Sequence, residues 1–327
     1  MLTSYAECRM CPRECSVDRR VRSDGSFRKG FCKESEKAYL AWAGLHRGEE
    51  SIVSGEKGSG MLFFRGCPLG CPTCQNIQIS LPDSSRYGSD GIRFLQADAA
   101  MLCELAWNMK EMGAHTISFV TAEHFVPLVV RTCAELKKRN FDLQFVFNTS
   151  GWICEDSVRD LFPFIDIWLW DTKTHDRTVA AEFFSNAAYP ESERRSFGEL
   201  MRLLDAGGDR KQVIVRHLMI PGHIESTIGV IKDFAAYKDK CLFSLMTQYM
   251  DVDGASPKCA DAPCRKVSAA EIKRAGRALE THGIECGWIQ EKDDGAIDWK
   301  PDFTKGNPFP EAFATPSTLF MRLISEI

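Results

Sequence analysis

The chain has 327 residues, of which 44% are hydrophobic and 26% charged, with a formal net charge of −4. That composition suits a globular protein with one large domain or two ordinary ones, and it excludes a disordered or fibrous chain. The small negative balance removes any polyelectrolyte drive toward nucleic acid or a membrane surface, and no apolar run approaches the ~18 residues of a membrane span.

The opening stretch, MLTSYAECRMCPREC, lacks the apolar core of a signal peptide. The expected compartment is therefore the cytoplasm, where thiols stay reduced and cysteines read as metal ligands or buried packing residues. Cys8, Cys11, Cys15 and Cys32 follow a C-x2-C-x3-C-x16-C spacing. Four thiols are enough for a closed tetrahedral site, with zinc as the default metal; a second iron–sulfur cluster and four unligated thiols are the alternatives.

An apolar strand, GMLFFRG, comes next and runs directly into CPLGCPTCQN, which places Cys67, Cys71 and Cys74 in a C-x3-C-x2-C loop. No further Cys or His follows until Cys103. Three thiolates fall one short of a structural zinc site, but they can hold three irons of a [4Fe–4S] cube and leave the fourth open. Pro68, Gly70 and Pro72 suit a loop that wraps tightly instead of continuing as a helix. Zinc and a redox thiol loop remain the alternatives on spacing alone.

From there the chain alternates. Largely apolar runs of strand length occur at 60–66, 115–121, 143–149, 164–171, 212–219 and 241–247, with a further run at 284–290. Helical patterns fall between them at 96–112, 126–139, 155–162, 191–206, 225–238 and 268–282, the last opening on a Ser cap and ending at Gly283. Consecutive βα units predict a parallel sheet covered by helices, with the site at the C-terminal ends of the strands. Polar groups stand at those ends: Glu123 and His124, then NTSG, DTK, RHLMIPG and TQY. Cys103, Cys133, Cys154 and Cys241 read as small core residues. Cys259, Cys264 and Cys286 sit late in the chain and form only a weak metal-binding pattern.

The C-x3-C-x2-C loop after GMLFFRG, the following QN, and the NTSG, IDIWLWDTK, VRHLMIPG and SLMTQY segments resemble the radical S-adenosylmethionine (radical SAM) enzymes. The likeness is to the branch of pyruvate formate-lyase activating enzyme and its uncharacterised relatives. It runs from about Cys8 to Gln290. It implies an α/β fold built on a partial (β/α)6 TIM-type barrel: a Cys-rich segment over 1–58, the barrel over 59–290, and an extension over 291–327. It also implies a [4Fe–4S] cluster on Cys67, Cys71 and Cys74, with SAM bound at its open iron.

By the same resemblance, Glu123 receives the methionine amino group, with His124 beside it. Asn148, Thr149, Ser150 and Gly151 match one segment of a monovalent-cation site, and Asp171 and Lys173 match the other. Asn148 stands where those enzymes carry Asp, and Thr73 stands where the family has an aromatic residue near adenine. Arg216 matches an arginine that helps hold SAM, while Gln248 and Tyr249 lie where another SAM contact is expected. The implied partners are a low-potential donor such as flavodoxin or ferredoxin and a protein or peptide substrate, with a backbone glycine as the analogue of the activating enzymes' target. The competing expectations are a radical peptide- or small-molecule-modifying enzyme and a non-catalytic iron–sulfur carrier. A cobalamin-dependent methylase would need an additional domain, for which the stretch before residue 60 is too short.

Overall fold

The computed structural model describes residues 2–81, 91–207, 210–250, 266–290 and 300–327. The chain begins with the cysteine-bearing segment and enters β1 (Ala38–His46), a short α1 (Ser51–Ser54) and β2 (Ser59–Phe64). After the cysteine loop come α2 (Ile77–Ser80), β3 (Leu95–Ala97), α3 (Ala99–Glu111), β4 (Thr116–Val120) and α4 (Val126–Lys138). The alternation continues with β5 (Gln144–Thr149), α5 (Glu155–Leu161), β6 (Ile167–Asp171), α6 (Arg177–Phe184) and α7 (Tyr189–Asp205). It closes with β7 (Gln212–Leu218), α8 (Ile224–Phe234), β8 (Leu242–Met246), α9 (Ala269–Thr281), β9 (Gly287–Gln290), β10 (Ala314–Pro316) and α10 (Thr318–Ser325).

The strands form one sheet in the order β10-β1-β2-β4-β5-β6-β7-β8-β9, with β3 also on β1. Every pairing from β2 to β9 is parallel, while β1 runs antiparallel to β2, β3 and β10. The sheet does not close on itself, so the fold is an open, partial TIM-type barrel. The run at 284–290 does supply a parallel strand, β9, beyond the six consecutive units read from the sequence. β3 stands where the sequence suggests the start of the first helix, because the Asp98 side chain caps α3 by accepting from Met101 N–H. The Ser268 cap of α9 is a full capping box with Glu271.

Alternation places one set of side chains on the helix-covered face and the other on the inner face. Val146, Ile167, Leu169 and Ile214 pack inside against Val53 of α1, which lies across the N-terminal ends of the strands. Three hydroxyls tie that end together: Thr116 Oγ1 donates to the Val53 carbonyl and pairs with Ser59 Oγ, both at 2.8 Å, and Ser59 pairs with Ser118 at 2.7 Å. The N-terminal mouth is thus plugged, and the C-terminal mouth is the end left to polar side chains.

Leu169 is fully buried at the centre of this inner packing. Leu169→Ala should lower unfolding free energy by about 2–5 kcal/mol, read as a reduced denaturant midpoint at unchanged m-value.

Candidate functional site

The loop after β2 leaves the strand through Arg65 and Gly66 and carries Cys67, Cys71 and Cys74 at the C-terminal mouth of the sheet. Gly66 at φ +82° and Gly70 at φ +69° take backbone angles that L side chains rarely adopt. Space also requires glycine: a Cβ on Gly66 would lie 2.6 Å from Glu34 Cγ, and one on Gly70 would lie 3.0 Å from the Phe31 ring. Cys67 and Cys71 are buried and Cys74 is half-buried, and all three belong to one packed group with Leu69, Trp152 and Phe183. Thr73 donates to the Phe183 carbonyl at 3.1 Å and so fastens the loop to α6.

Burial, and then the neighbouring charges of Glu123, Cys71 and Cys74, push the Cys67 thiol well up; burial and Cys74 bring Cys71 to about 12. Thiols as dry as Cys67 and Cys71 become thiolates only when a cation shares the loop, because ligation deprotonates a coordinating thiol outright. Among the described residues no three His, Cys, Asp or Glu side chains converge on a single ion position.

Glu123 stands beside the loop, at the end of β4. Its turn begins at Thr121, a β-branched residue held at φ +55°, in the left-handed region that favours glycine. The Glu123 carboxylate is fully buried, and its Oε1 accepts from Thr149 Oγ1, Ser150 N–H and Ser150 Oγ at 2.7–2.9 Å. Its Oε2 is buried and has no hydrogen-bond partner among the described residues. Burial raises this carboxyl above its ordinary range, against the Ser150 and Thr149 bonds that lower it. An orphaned acceptor beside Cys67 is a place for an ammonium donor. His124 next to it is neutral, held near pKa 3 by burial, and its Nε2 bonds the Arg65 carbonyl at 2.9 Å.

Lys173 lies across the mouth and pairs with Asp171 at 2.5 Å. Burial acts to lower its pKa, but Asp171 and then Cys71 raise it further, so the ammonium stays charged close to the loop. The strand ends are laced by Tyr189, whose hydroxyl reaches the Ser150 and Asp171 carbonyls at 2.9 and 2.8 Å and accepts from Lys173 N–H at 3.0 Å. Glu193 holds the same corner, accepting from Trp170 Nε1 and Thr172 Oγ1, each at 2.8 Å. Both come from α7 and belong to no motif. Asn148 and Gln248 are half-buried at the ends of β5 and just beyond β8, and Tyr249 meets Phe183 edge to face at 6.5 Å.

Arg216 is in register with Asp171 across β6 and β7, but its guanidinium turns to Glu49 and Glu50 in the segment after β1. Its Nε donates to Glu50 Oε1 at 2.9 Å, and its Nη2 meets Glu49 Oε2 at 2.5 Å and Glu50 Oε2 more closely still. The sequence motif places Arg216 at the mouth; the structure brings two carboxylates to it, and neither is foreshadowed by spacing.

The four N-terminal cysteines adjoin this site. Arg13, between Cys11 and Cys15, is within electrostatic reach of both and of Cys67 and Cys71. Arg19 is fully buried; it donates to the Glu34, Ser35 and His124 carbonyls at 2.8–2.9 Å and to Cys8 Sγ at 3.4 Å. Phe31 N–H points at Cys15 Sγ at 3.4 Å. Cys259 and Cys264 lie outside the described residues, and Cys286 is exposed. A cavity of about 540 Å³ opens elsewhere, between Gln78 and the segment 300–310, and no cysteine lines it.

Comparison with known proteins gives limited bearings. No family model matches. The chain is 23% identical over 295 residues to an uncharacterised protein of Methanocaldococcus jannaschii, spanning 86% of this chain and 76% of the relative. One similar solved structure is a domain of a pyruvate-formate lyase-activating enzyme from Bacteroides vulgatus, at TM-score 0.36 and 13% identity, covering 52% of this chain and 91% of that one. Another is the arginine decarboxylase of Paramecium bursaria Chlorella virus, at TM-score 0.32 and 10% identity, covering 68% and 55%. At these scores neither likeness transfers a fold or an activity. No helix among the described residues is long and apolar enough to cross a membrane.

Arg216→Met strands Glu49 and Glu50 in the interior and should cost about 3–5 kcal/mol of stability at neutral pH. Burial alone would raise the Glu49 carboxyl, but Arg216 and then His46 hold it below the usual carboxylate range. A depressed folded value gives stability that is present above the unfolded pKa and lost as pH falls through the folded one. The deficit of the variant should therefore be greatest at neutral pH and shrink as pH falls, beginning above the usual carboxylate range because burial without Arg216 raises the Glu49 carboxyl. Denaturant midpoints of both proteins across that range check it.

Proposed function

We propose that the chain is a radical SAM enzyme whose cluster is held by Cys67, Cys71 and Cys74. The observation that carries this reading is the juxtaposition of three buried or half-buried thiols in one loop with an orphaned, fully buried carboxylate oxygen, Glu123 Oε2. When bound, a [4Fe–4S] cluster supplies the electron that cleaves the S–C5′ bond of SAM, giving methionine and a 5′-deoxyadenosyl radical that takes a hydrogen atom from substrate. The electron comes from a low-potential donor of the flavodoxin or ferredoxin kind.

The chain's own residues do the holding. Glu123 Oε2 accepts from the methionine ammonium, while Ser150 and Thr149 keep Oε1 occupied and so fix the carboxylate's orientation. Lys173, charged beside Cys71, offsets the methionine carboxylate, and Asp171 holds Lys173 in place. Arg216 acts one layer deeper, bracing the sheet to Glu49 and Glu50. Asn148, Thr149 and Gln248 complete the walls. With Thr73 turned to Phe183, adenine packing falls to residues such as Tyr249 and Ile220, which share the cysteine loop's packed group.

The substrate follows by analogy of motifs alone: a backbone glycine of a protein partner, with peptide or small-molecule modification as the second reading. Cys8, Cys11, Cys15 and Cys32 bind a separate metal, zinc or a second iron–sulfur cluster. What supports this is the fully buried Arg19, whose hydrogen bonds among the described residues reach three carbonyls and Cys8 but no carboxylate; a buried cation calls for an anion, and thiolates on a metal provide it.

Anaerobically reconstituted and reduced protein should convert SAM to 5′-deoxyadenosine, and Cys67→Ala, Cys71→Ala or Cys74→Ala should each abolish that product. A wild-type protein that assembles a cluster and releases no 5′-deoxyadenosine would make the chain a carrier. For the N-terminal group, metal analysis of the triple variant lacking Cys67, Cys71 and Cys74 should still find one zinc or residual iron. A folded variant free of metal refutes that second site.

A further inference from the structure

We propose that Arg13, in the N-terminal cysteine segment, is a positioning residue for the barrel's cysteine loop: it clamps the loop's carbonyls and sets a positive charge beside Cys67 and Cys71. The inference rests on the reading of that loop as a cluster site.

The geometry is specific. Arg13 Nε donates to the Pro68 carbonyl at 3.1 Å and Nη2 donates to the Leu69 carbonyl at 3.0 Å, so one planar fork spans two successive peptides inside the C-x3-C turn. The same guanidinium lies 3.7 Å from the centroid of Phe31 and 5.6 Å from that of Trp152. Phe31 in turn packs on Gly70, the residue after those two carbonyls. Cys11 belongs to the packed group that contains Cys67 and Cys71, so the segment is seated against the loop by apolar contact as well.

Among the described residues no carboxylate accepts from Arg13; the hydrogen bonds it makes there go to neutral carbonyls. An uncompensated, half-buried cation next to a cluster of thiolates lowers the cost of adding an electron there, because the reduced form carries more negative charge. Loop shape and redox poise thus depend on one side chain that touches neither SAM nor substrate, and the N-terminal segment gains a reason to lie where it does.

The test compares full-length wild type, Arg13→Lys and Arg13→Gln, each anaerobically reconstituted. Arg13→Gln should hold the wild-type amount of iron yet be about tenfold harder to reduce at a fixed donor potential, which is about 59 mV for a one-electron couple. Arg13→Lys keeps the charge and should stay within threefold of wild type. Both should show faster amide hydrogen exchange over 67–74, since neither side chain reproduces the planar Nε and Nη2 fork that holds the two carbonyls. Equal potentials in wild type and Arg13→Gln overturn the proposal, as do equal shifts in both variants. If Arg13→Gln assembles less iron, exchange in the unreconstituted full chain decides: faster exchange over 67–74 supports the clamp and unchanged exchange overturns it. A wild-type chain that forms no cluster on Cys67, Cys71 and Cys74 overturns the proposed function itself and this inference with it, whereas the other negative results leave the proposed function standing.

Discussion

A charge taken out of water needs a partner within a few ångströms, and the upper half of this barrel is arranged around that requirement. Lys173 has Asp171, Arg216 has Glu49 and Glu50, and Glu123 has the hydroxyls of Thr149 and Ser150. Lys173 and Asp171 are neighbours in sequence, but the Arg216 and Glu123 pairings join separate elements of the fold, so satisfying those charges also ties the elements together. The groups left incompletely answered are the interesting ones: one oxygen of Glu123, and the cysteine thiols whose pKa values burial drives up. They lie at the ends of β2 and β4, close enough that the Glu123 charge acts on Cys67.

The parallel strands were readable because buried strands in a helix-covered sheet are apolar on both faces and read as short continuous runs. The strand-end motifs could also be placed, since a parallel sheet puts every βα turn on one rim. What escaped was whatever depends on distant partners. β1 belongs to the sheet through pairings with β2, β3 and β10, and nothing in AYLAWAGLH announces an antiparallel strand at that edge. α6 is eight residues long and lies between β6 and a second helix, where one crossover helix was expected. Arg216 was picked out by its motif, yet its partners lie 166 and 167 residues away in a segment without any pattern.

Tyr189 and Glu193 are a similar case. Neither lies in a motif, and both act from α7 on the ends of β5 and β6. Gly151 shows how tight that corner is: a Cβ there would come within 2.8 Å of the Asp171 carbonyl and 3.0 Å of the Tyr189 hydroxyl. The NTSG segment is therefore constrained from two directions. Glu123 draws on its hydroxyls, and α7 limits its size. Spacing in the sequence displays only the first, and only to a reader who already knows where β4 ends.

The edge of the sheet carries a different consequence. Gly44, Leu45 and His46 of β1 pair with Pro316, Thr315 and Ala314, so an early strand finds its outer partner near the far end of the chain. Gly44 lies so close beneath β10 that an added methyl would come within 2.5 Å of the Thr315 carbonyl oxygen. During synthesis that row of backbone N–H and C=O groups must wait, unpaired, while nearly the whole barrel is made. A nascent chain of this kind carries an open strand template until β10 is made, and protection arrives with that strand.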